Sequence, residues 1–341
     1  MSQEQQIRRQ QEQIERLCRQ LAEQRAECDH LKKKQTMSCI QDEPSELRRK
    51  VVDQGKTLDQ LRQRNTELED RLRHKNTAEP EAIHFWEVSR QEVEILPTIL
   101  GTGAWGWVSE AIFRGKLVAV KRLHKDIVSQ FTVDHIRREV NIMAQVRHPN
   151  LVLFIAAVMD SEQGPLIITE ILTTSLRKAA NQDILGGNAV KLSVFQDVAA
   201  ALNYLHQHRE PIIHRDVSSS NVLLERLPQN MWRAKLSDFG SANLAKLATS
   251  PGPGAIVYAA PEVAMGLQTP KMDVYSFGVL ICEIVTGDFP SDSGLYRMLL
   301  SVKQRWPSIH RLTVECVDHN VQERPTIKKV LQNLETVCID V

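Results

Sequence analysis

Three glycines spaced as Gly101-Thr102-Gly103-Ala-Trp-Gly106, followed by Val108, could let backbone amides close over a string of phosphates. A dinucleotide-binding fold uses glycines at the same spacing, but there a helix begins at the loop. Here the next residues are Val108, Glu110 and Ile112, then a turn at Arg114-Gly115, then Leu117-Val-Ala-Val-Lys121. That order reads as strand, hairpin, strand. Lys121, fifteen residues after Gly106, would place an ammonium within reach of the same phosphates.

Further motifs follow in order. A helical stretch at 133–146 contains Glu139, and the strand Leu166-Ile-Ile-Thr169 runs into Glu170-Ile-Leu172. His214-Arg215-Asp216 is followed five residues later by Asn221, and Asp238-Phe239-Gly240 comes seventeen residues after that. Ala260-Pro261-Glu262, Asp273 in Asp-Val-Tyr-Ser-Phe-Gly, and Arg324 complete the series. Phosphoryl transfer to a hydroxyl needs a carboxylate to orient the nucleophile and oxygen ligands to hold magnesium. Asp216 suits the first task, and Asn221 with Asp238 the second.

With these motifs in this order, the chain resembles a eukaryotic-type protein kinase over roughly residues 93–337. The resemblance implies an α+β, bilobal fold with a small β-rich lobe and a larger helical lobe. It implies ATP and Mg2+ as cofactors and a protein as substrate. Lys121 then pairs with Glu139, and Asp216 is the catalytic base. ATP is held by Gly101, Thr102, Gly103, Gly106, Val108, Ala119, Lys121, Thr169, Glu170, Leu172 and Leu223, with Thr169 as a small gatekeeper. Asn221 and Asp238 are the metal ligands. Phe239 is a packing switch, Arg215 clamps a phosphorylated activation loop, and Thr249 and Ser250 are its acceptors.

Two stretches, His148-Pro-Asn-Leu-Val and Asp273-Val-Tyr-Ser-Phe-Gly, resemble the tyrosine-kinase-like group, whose members act on Ser/Thr. Two departures stand out. Ser218 occupies the place of the Lys usual in Ser/Thr kinases, and Ala255 the place of their activation-segment Thr. In the family those two residues bond each other and the catalytic Asp, so their joint absence is coherent. A slow kinase, a pseudokinase scaffold, and a dual-specificity or tyrosine kinase all remain as alternatives.

The elements that precede this region are of another kind. Residues 1–75 contain no Phe, Trp or Tyr and cannot build a core alone. Ile7, Ile14, Leu21 and Cys28 share one heptad position, with Gln10, Leu17, Gln24 and Leu31 three residues later. The pattern breaks near 37–46, where Pro44 bars a continuous helix. It resumes as Leu47, Val51, Gln54, Leu58, Leu61, Asn65, Leu68 and Leu72, with Asn65 at an a position, which favours an in-register pair. The spacing predicts a coiled coil over 1–75 and a homodimer through it, with residues 76–92 as linker.

Composition narrows the class. At a net charge of +1 the chain is no bulk polycation, so neither nucleic acid nor a membrane surface is an expected partner. The six cysteines form no C-x-x-C pair, and the longest apolar run, Leu151–Met159, is too short to span a bilayer. A cytoplasmic protein with reduced thiols is the expectation.

Overall fold

Trp107, Val108, Ile112, Phe113, Val118 and Val120 enrich residues 106–123 in the β-branched and aromatic side chains that suit a pleated, half-buried surface. The computed structural model describes residues 84–339 except 104–105, 124–129, 161–162, 239–255, 266–267 and 291–293. The heptad runs and the linker up to residue 83 lie outside the described residues, as do Phe239, Thr249 and Ser250. Strands β1 (Val93–Gly103), β2 (Gly106–Phe113), β3 (Lys116–Leu123), β4 (Phe154–Val158) and β5 (Leu166–Thr169) form one antiparallel sheet in the order β1-β2-β3-β5-β4. Gly103 pairs with Gly106, so the glycine-rich segment is a hairpin and no helix starts there. Arg114 and Gly115 at φ 49° and 75° make the next turn left-handed, matching the twist of the strands it joins. Phe113, Val118, Val120, Val158, Leu166 and Ile168 pack together as a separate apolar cluster of this sheet.

Helix α1 (Gln130–Gln145) buries Ile136, Val140 and Met143, one face at three- and four-residue spacing. Residues 84–92, read from the sequence as the end of a linker, lie along β4. Val88 N–H donates to the Ala157 carbonyl at 2.9 Å, and Ala157 N–H donates to the Trp86 carbonyl at 2.9 Å. Trp86, 3% exposed, donates its indole N–H to Asn141 Oδ1 on α1 at 3.0 Å. Glu87 pairs with Arg137 on the same helix at 2.7 Å.

The chain then becomes helical, as expected for an α+β bilobal fold. After β6 (Thr174–Ser175) come α2 (Leu176–Asn181) and α3 (Asn188–His206), then β7 (Val222–Arg226) and β8 (Trp232–Leu236). Helices α4 (Lys271–Thr286), α5 (Leu295–Arg305), α6 (Pro307–Cys316) and α7 (Ile327–Leu334) follow. β6, β7 and β8 form a small antiparallel sheet. Residues 261–265 form a 3-10 helix.

α4 is buried from Met272 through Thr286, which its apolar run Phe277–Val285, broken only by Gly278, Cys282 and Glu283, makes affordable. Phe277 meets Phe195 of α3 edge-on, ring centroids 6.4 Å apart. Gly287 ends the helix at φ 75°, its N–H donating to the Glu283 carbonyl at 2.8 Å. Gly278 permits close approach to the end of α6. A Cβ there would lie 2.6 Å from Val317 Cγ1 and 2.8 Å from Cys316 Cβ.

The segment after β5 is tied down from both sides. Lys235 of β8 donates to Glu170 Oε1 at 2.9 Å and Oε2 at 2.7 Å, and Leu153 N–H donates to Oε1 at 2.8 Å. The Glu170 N–H returns the bond to the Leu153 carbonyl at 3.0 Å.

Two stability predictions follow from these contacts. Gly278→Ala forces overpacking and should cost about 1–3 kcal/mol, read as a lowered midpoint in urea. Lys235→Met leaves the mostly buried Glu170 carboxylate without its cation and should cost about 1–3 kcal/mol. A midpoint unchanged from wild type would refute either one.

Candidate active site

The loop between α3 and β7 is organised by one carboxylate. Asp273, on the first turn of α4, is 0% exposed. Its Oδ2 accepts from the His214 N–H at 2.8 Å and lies 2.7 Å from His206 Nε2, and its Oδ1 accepts from the Arg215 N–H at 2.8 Å. Arg215 sits at φ 69°, a left-handed conformation that costs a non-glycine residue of order 1–3 kcal/mol. Charge-assisted hydrogen bonds to two successive amides offset that strain.

His214 then locks the loop to the strand beyond it. Its Nδ1 accepts from the Asp216 N–H at 3.2 Å, so Nε2 carries the hydrogen that bonds the Ser237 carbonyl at 2.8 Å. Asn221 donates its amide to the Asp216 carbonyl and to Asp216 Oδ2, both at 2.8 Å. Ser237 donates its N–H and its hydroxyl to the Asn221 carbonyl at 2.8 Å each. Asp216, Asn221 and the start of the 238 segment are thereby held as one bonded unit.

Asp238, also left-handed at φ 58°, reaches the other lobe. Its Oδ1 accepts from Lys121 Nζ at 2.8 Å. Lys121 pairs in register with Ile167, and Ala119 with Thr169, so β3 and β5 present these residues side by side. Gly101 pairs with Val108 and Thr102 with Trp107 across the hairpin, and a Cβ on Gly101 would meet nothing within 4 Å. Leu223 lies on β7 between Ser175 and Lys235. Leu172 follows β5 in the segment secured by Glu170. Glu139 lies on α1 between Arg137 and Asn141, and its side chain is outside the described residues.

The donor set fits a magnesium–nucleotide pair. Among the described residues no group of three or more His, Cys, Asp or Glu could hold a metal ion alone. Asn221 spends its amide nitrogen on Asp216, which leaves its Oδ1, with Asp238, as hard oxygen donors. Magnesium is commonly bound by one or two such protein ligands plus phosphate oxygens.

Sequence reasoning missed a second polar cluster, Arg177, Ser219, Tyr258 and Glu283. Burial, and then the charge of Glu283, push the Tyr258 hydroxyl well above the usual tyrosine range, so it remains a donor. One signal was available: Glu283 is a charged residue inside the apolar run of α4. Nothing local marked Arg177.

Residues 96–336 match the protein kinase domain model. The chain is 32% identical over 285 residues to the dual specificity protein kinase shkC of Dictyostelium discoideum, covering 76% of this chain and 52% of that protein. It is 33% identical over 251 residues to a probable serine/threonine-protein kinase of the same organism, covering 69% of this chain and 24% of the relative. It is 31% identical over 272 residues to MDIS1-interacting receptor like kinase 2 of Arabidopsis thaliana, covering 75% of this chain and 25% of the relative. The matched region thus spans about half or less of these relatives' length. With the matched domain running through both lobes and the loops just described, the chain belongs to the protein kinase family.

Proposed function

We propose that the protein transfers the terminal phosphoryl group of ATP to serine and threonine hydroxyls of proteins, with Mg2+, as a member of the tyrosine-kinase-like group acting in the cytoplasm. The observation that carries this reading is the 2.8 Å contact of Lys121 with Asp238, residues 117 apart in sequence, beside the Asp216–Asn221 pair. A fold without phosphate chemistry has no need to bring a lysine, two aspartates and an asparagine to one cleft.

Bound Mg·ATP supplies an electrophilic phosphoryl group whose charge the cation offsets. Asp216 orients the substrate hydroxyl and takes its proton as the new P–O bond forms and ADP leaves. The Asn221 amide on Asp216 Oδ2 fixes the rotamer of that carboxylate. Lys121, aligned by Glu139, would hold phosphate oxygens, and Asn221 and Asp238 would hold the cation. Gly101, Thr102, Gly103, Gly106 and Val108 would cover the nucleotide, and Ala119, Thr169, Glu170, Leu172 and Leu223 would enclose its base. Arg215, Phe239, Thr249 and Ser250 would set the activation state.

Dual specificity is the second reading. Ser218 stands where Ser/Thr kinases usually carry Lys, and shkC is named as a dual specificity kinase. The amino-terminal heptads would join two copies and favour trans-phosphorylation by raising effective concentration.

Transfer of labelled phosphate from ATP to the protein itself and to a generic protein substrate tests both readings. Label should appear on Ser and Thr, vanish in Asp238→Asn, and fall about 10²–10⁴-fold in kcat for Asp216→Asn. Label on Tyr as well would establish dual specificity, and no transfer by a folded wild type would refute the kinase assignment. Introducing Leu58→Glu with Leu61→Glu should turn a sedimenting dimer into a monomer and slow self-phosphorylation at low concentration. A mass unchanged from wild type would exclude pairing through these heptads.

A further inference from the structure

α4 buries a carboxylate that phosphoryl transfer does not use. Glu283 is 7% exposed and lies on the floor beneath the catalytic loop. Its Oε1 accepts from the Ser219 hydroxyl at 2.7 Å, and its Oε2 accepts from the Tyr258 hydroxyl. Ser219 lies in the same loop as Asp216, three residues after it, so this acid is bonded directly to the catalytic loop.

Arg177, the second residue of α2, covers the carboxylate from the outside. Its Nη2 lies 3.4 Å from Glu283 Oε1 and donates to the Tyr258 hydroxyl at 2.6 Å. Its backbone N–H donates to the Ser219 carbonyl at 2.9 Å, which anchors the start of α2 to the catalytic loop. The guanidinium lies over Phe289, 4.4 Å from the ring centroid, and that ring is 51% exposed.

The three donors around Glu283 are not equivalent. A carboxylate has about four lone-pair sites. Ser219 and Tyr258 are buried residues whose hydroxyls are held inside the fold. Arg177 is 24% exposed, touches Glu283 through one 3.4 Å contact, and forms no bidentate fork. Its Nε has no hydrogen-bond partner among the described residues. Lifting this one side chain would open a negatively charged hole with an aromatic rim, against the loop that carries Asp216. An arginine from outside the chain has the charge, the planar shape and the apolar stem to refill it.

We infer that Arg177 is a specificity-determining residue: it occupies, from within the chain, an acidic subsite beside the catalytic loop that would otherwise take a cationic side chain of the protein substrate. Resting on the kinase reading above, this assigns the enzyme to substrates that need no Lys or Arg near the acceptor. At this position such substrates meet the Phe289 ring and a neutralised pair.

The test uses labelled serine peptides, one uncharged and a set with a single arginine moved along the positions flanking the serine. Binding is followed by fluorescence anisotropy with the full-length wild type, Arg177→Met and Arg177→Lys. Methionine keeps an unbranched stem over Phe289 and removes the charge. Wild type and Arg177→Lys should not distinguish the peptides. Arg177→Met should bind one arginine peptide about tenfold more tightly than the uncharged one, and adding Glu283→Gln should erase that gain. In the transfer assay the gain should lie in KM for that peptide and not in kcat. If Arg177→Met favours no arginine position, or wild type already favours one, the proposal is overturned. A purely structural Arg177 would lower the thermal midpoint of Arg177→Met and leave the peptide ratio at that of wild type. Absence of phosphorylation on every peptide would refute the kinase reading, while anisotropy would still decide the subsite.

Discussion

One buried carboxylate sets the geometry on which the rest of the site depends. Asp273 accepts hydrogen bonds from two successive amides, His214 and Arg215, and from its own place in α4 it cannot move without the core moving. Arg215 is left-handed because those two bonds hold it so. Its conformation turns the chain so that Asp216 meets Asn221, and His214 meets the carbonyl one residue before Asp238. Strain of this kind persists only where the surroundings over-determine it. Here the surroundings are a helix buried along nearly its whole length.

The composition of α4 follows from that duty. A helix buried on all sides should be apolar throughout, since each buried polar group costs free energy unless it is hydrogen-bonded. The polar residues of α4 that are buried all have partners. Asp273 holds the catalytic loop, Ser276 bonds the Tyr258 carbonyl at 2.8 Å, Glu283 gathers Ser219, Tyr258 and Arg177, and Thr286 bonds the Cys282 carbonyl at 2.8 Å. Three of these four act on loops rather than on the helix itself. The helix is therefore both the hydrophobic centre of its lobe and the frame to which the reactive loops are fastened.

The two lobes are joined at points that differ in kind. Glu170 and Lys235 form a fixed tie of the segment after β5 to β8, with each carboxylate oxygen occupied. Lys121 and Asp238 form a contact between groups that each have a proposed ligand, one anionic and one cationic. Such a pair satisfies both charges while leaving them available to exchange partners. Residues 84–92 make a tie of another kind, not between the lobes but from β4 of the five-stranded sheet to α1, through Trp86 and Glu87 on either side of the turn that carries Glu139.

Residues that act through local backbone geometry were legible in the sequence. The glycine spacing was legible through the strands that follow it, because hairpins are set by nearby residues, whereas the His-Arg-Asp and Asp-Phe-Gly tripeptides took their meaning from their order and spacing along the chain. The α+β, bilobal fold was legible through the family resemblance that this order carries. What only the tertiary structure decided are the pairings between windows. Lys235 reads as an ordinary strand lysine until β8 brings it to Glu170, and Arg177 as a solvated helix residue until α4 brings Glu283 beneath it. Trp86 reads as part of a linker until β4 offers it a backbone edge. Each joins segments that only the folded core brings together, and a side chain's partner across such a distance is not written in its own neighbourhood. The sequence by itself singled out the groups proposed here for phosphoryl transfer; the packing of the core decided which of the remaining charges hold them in place.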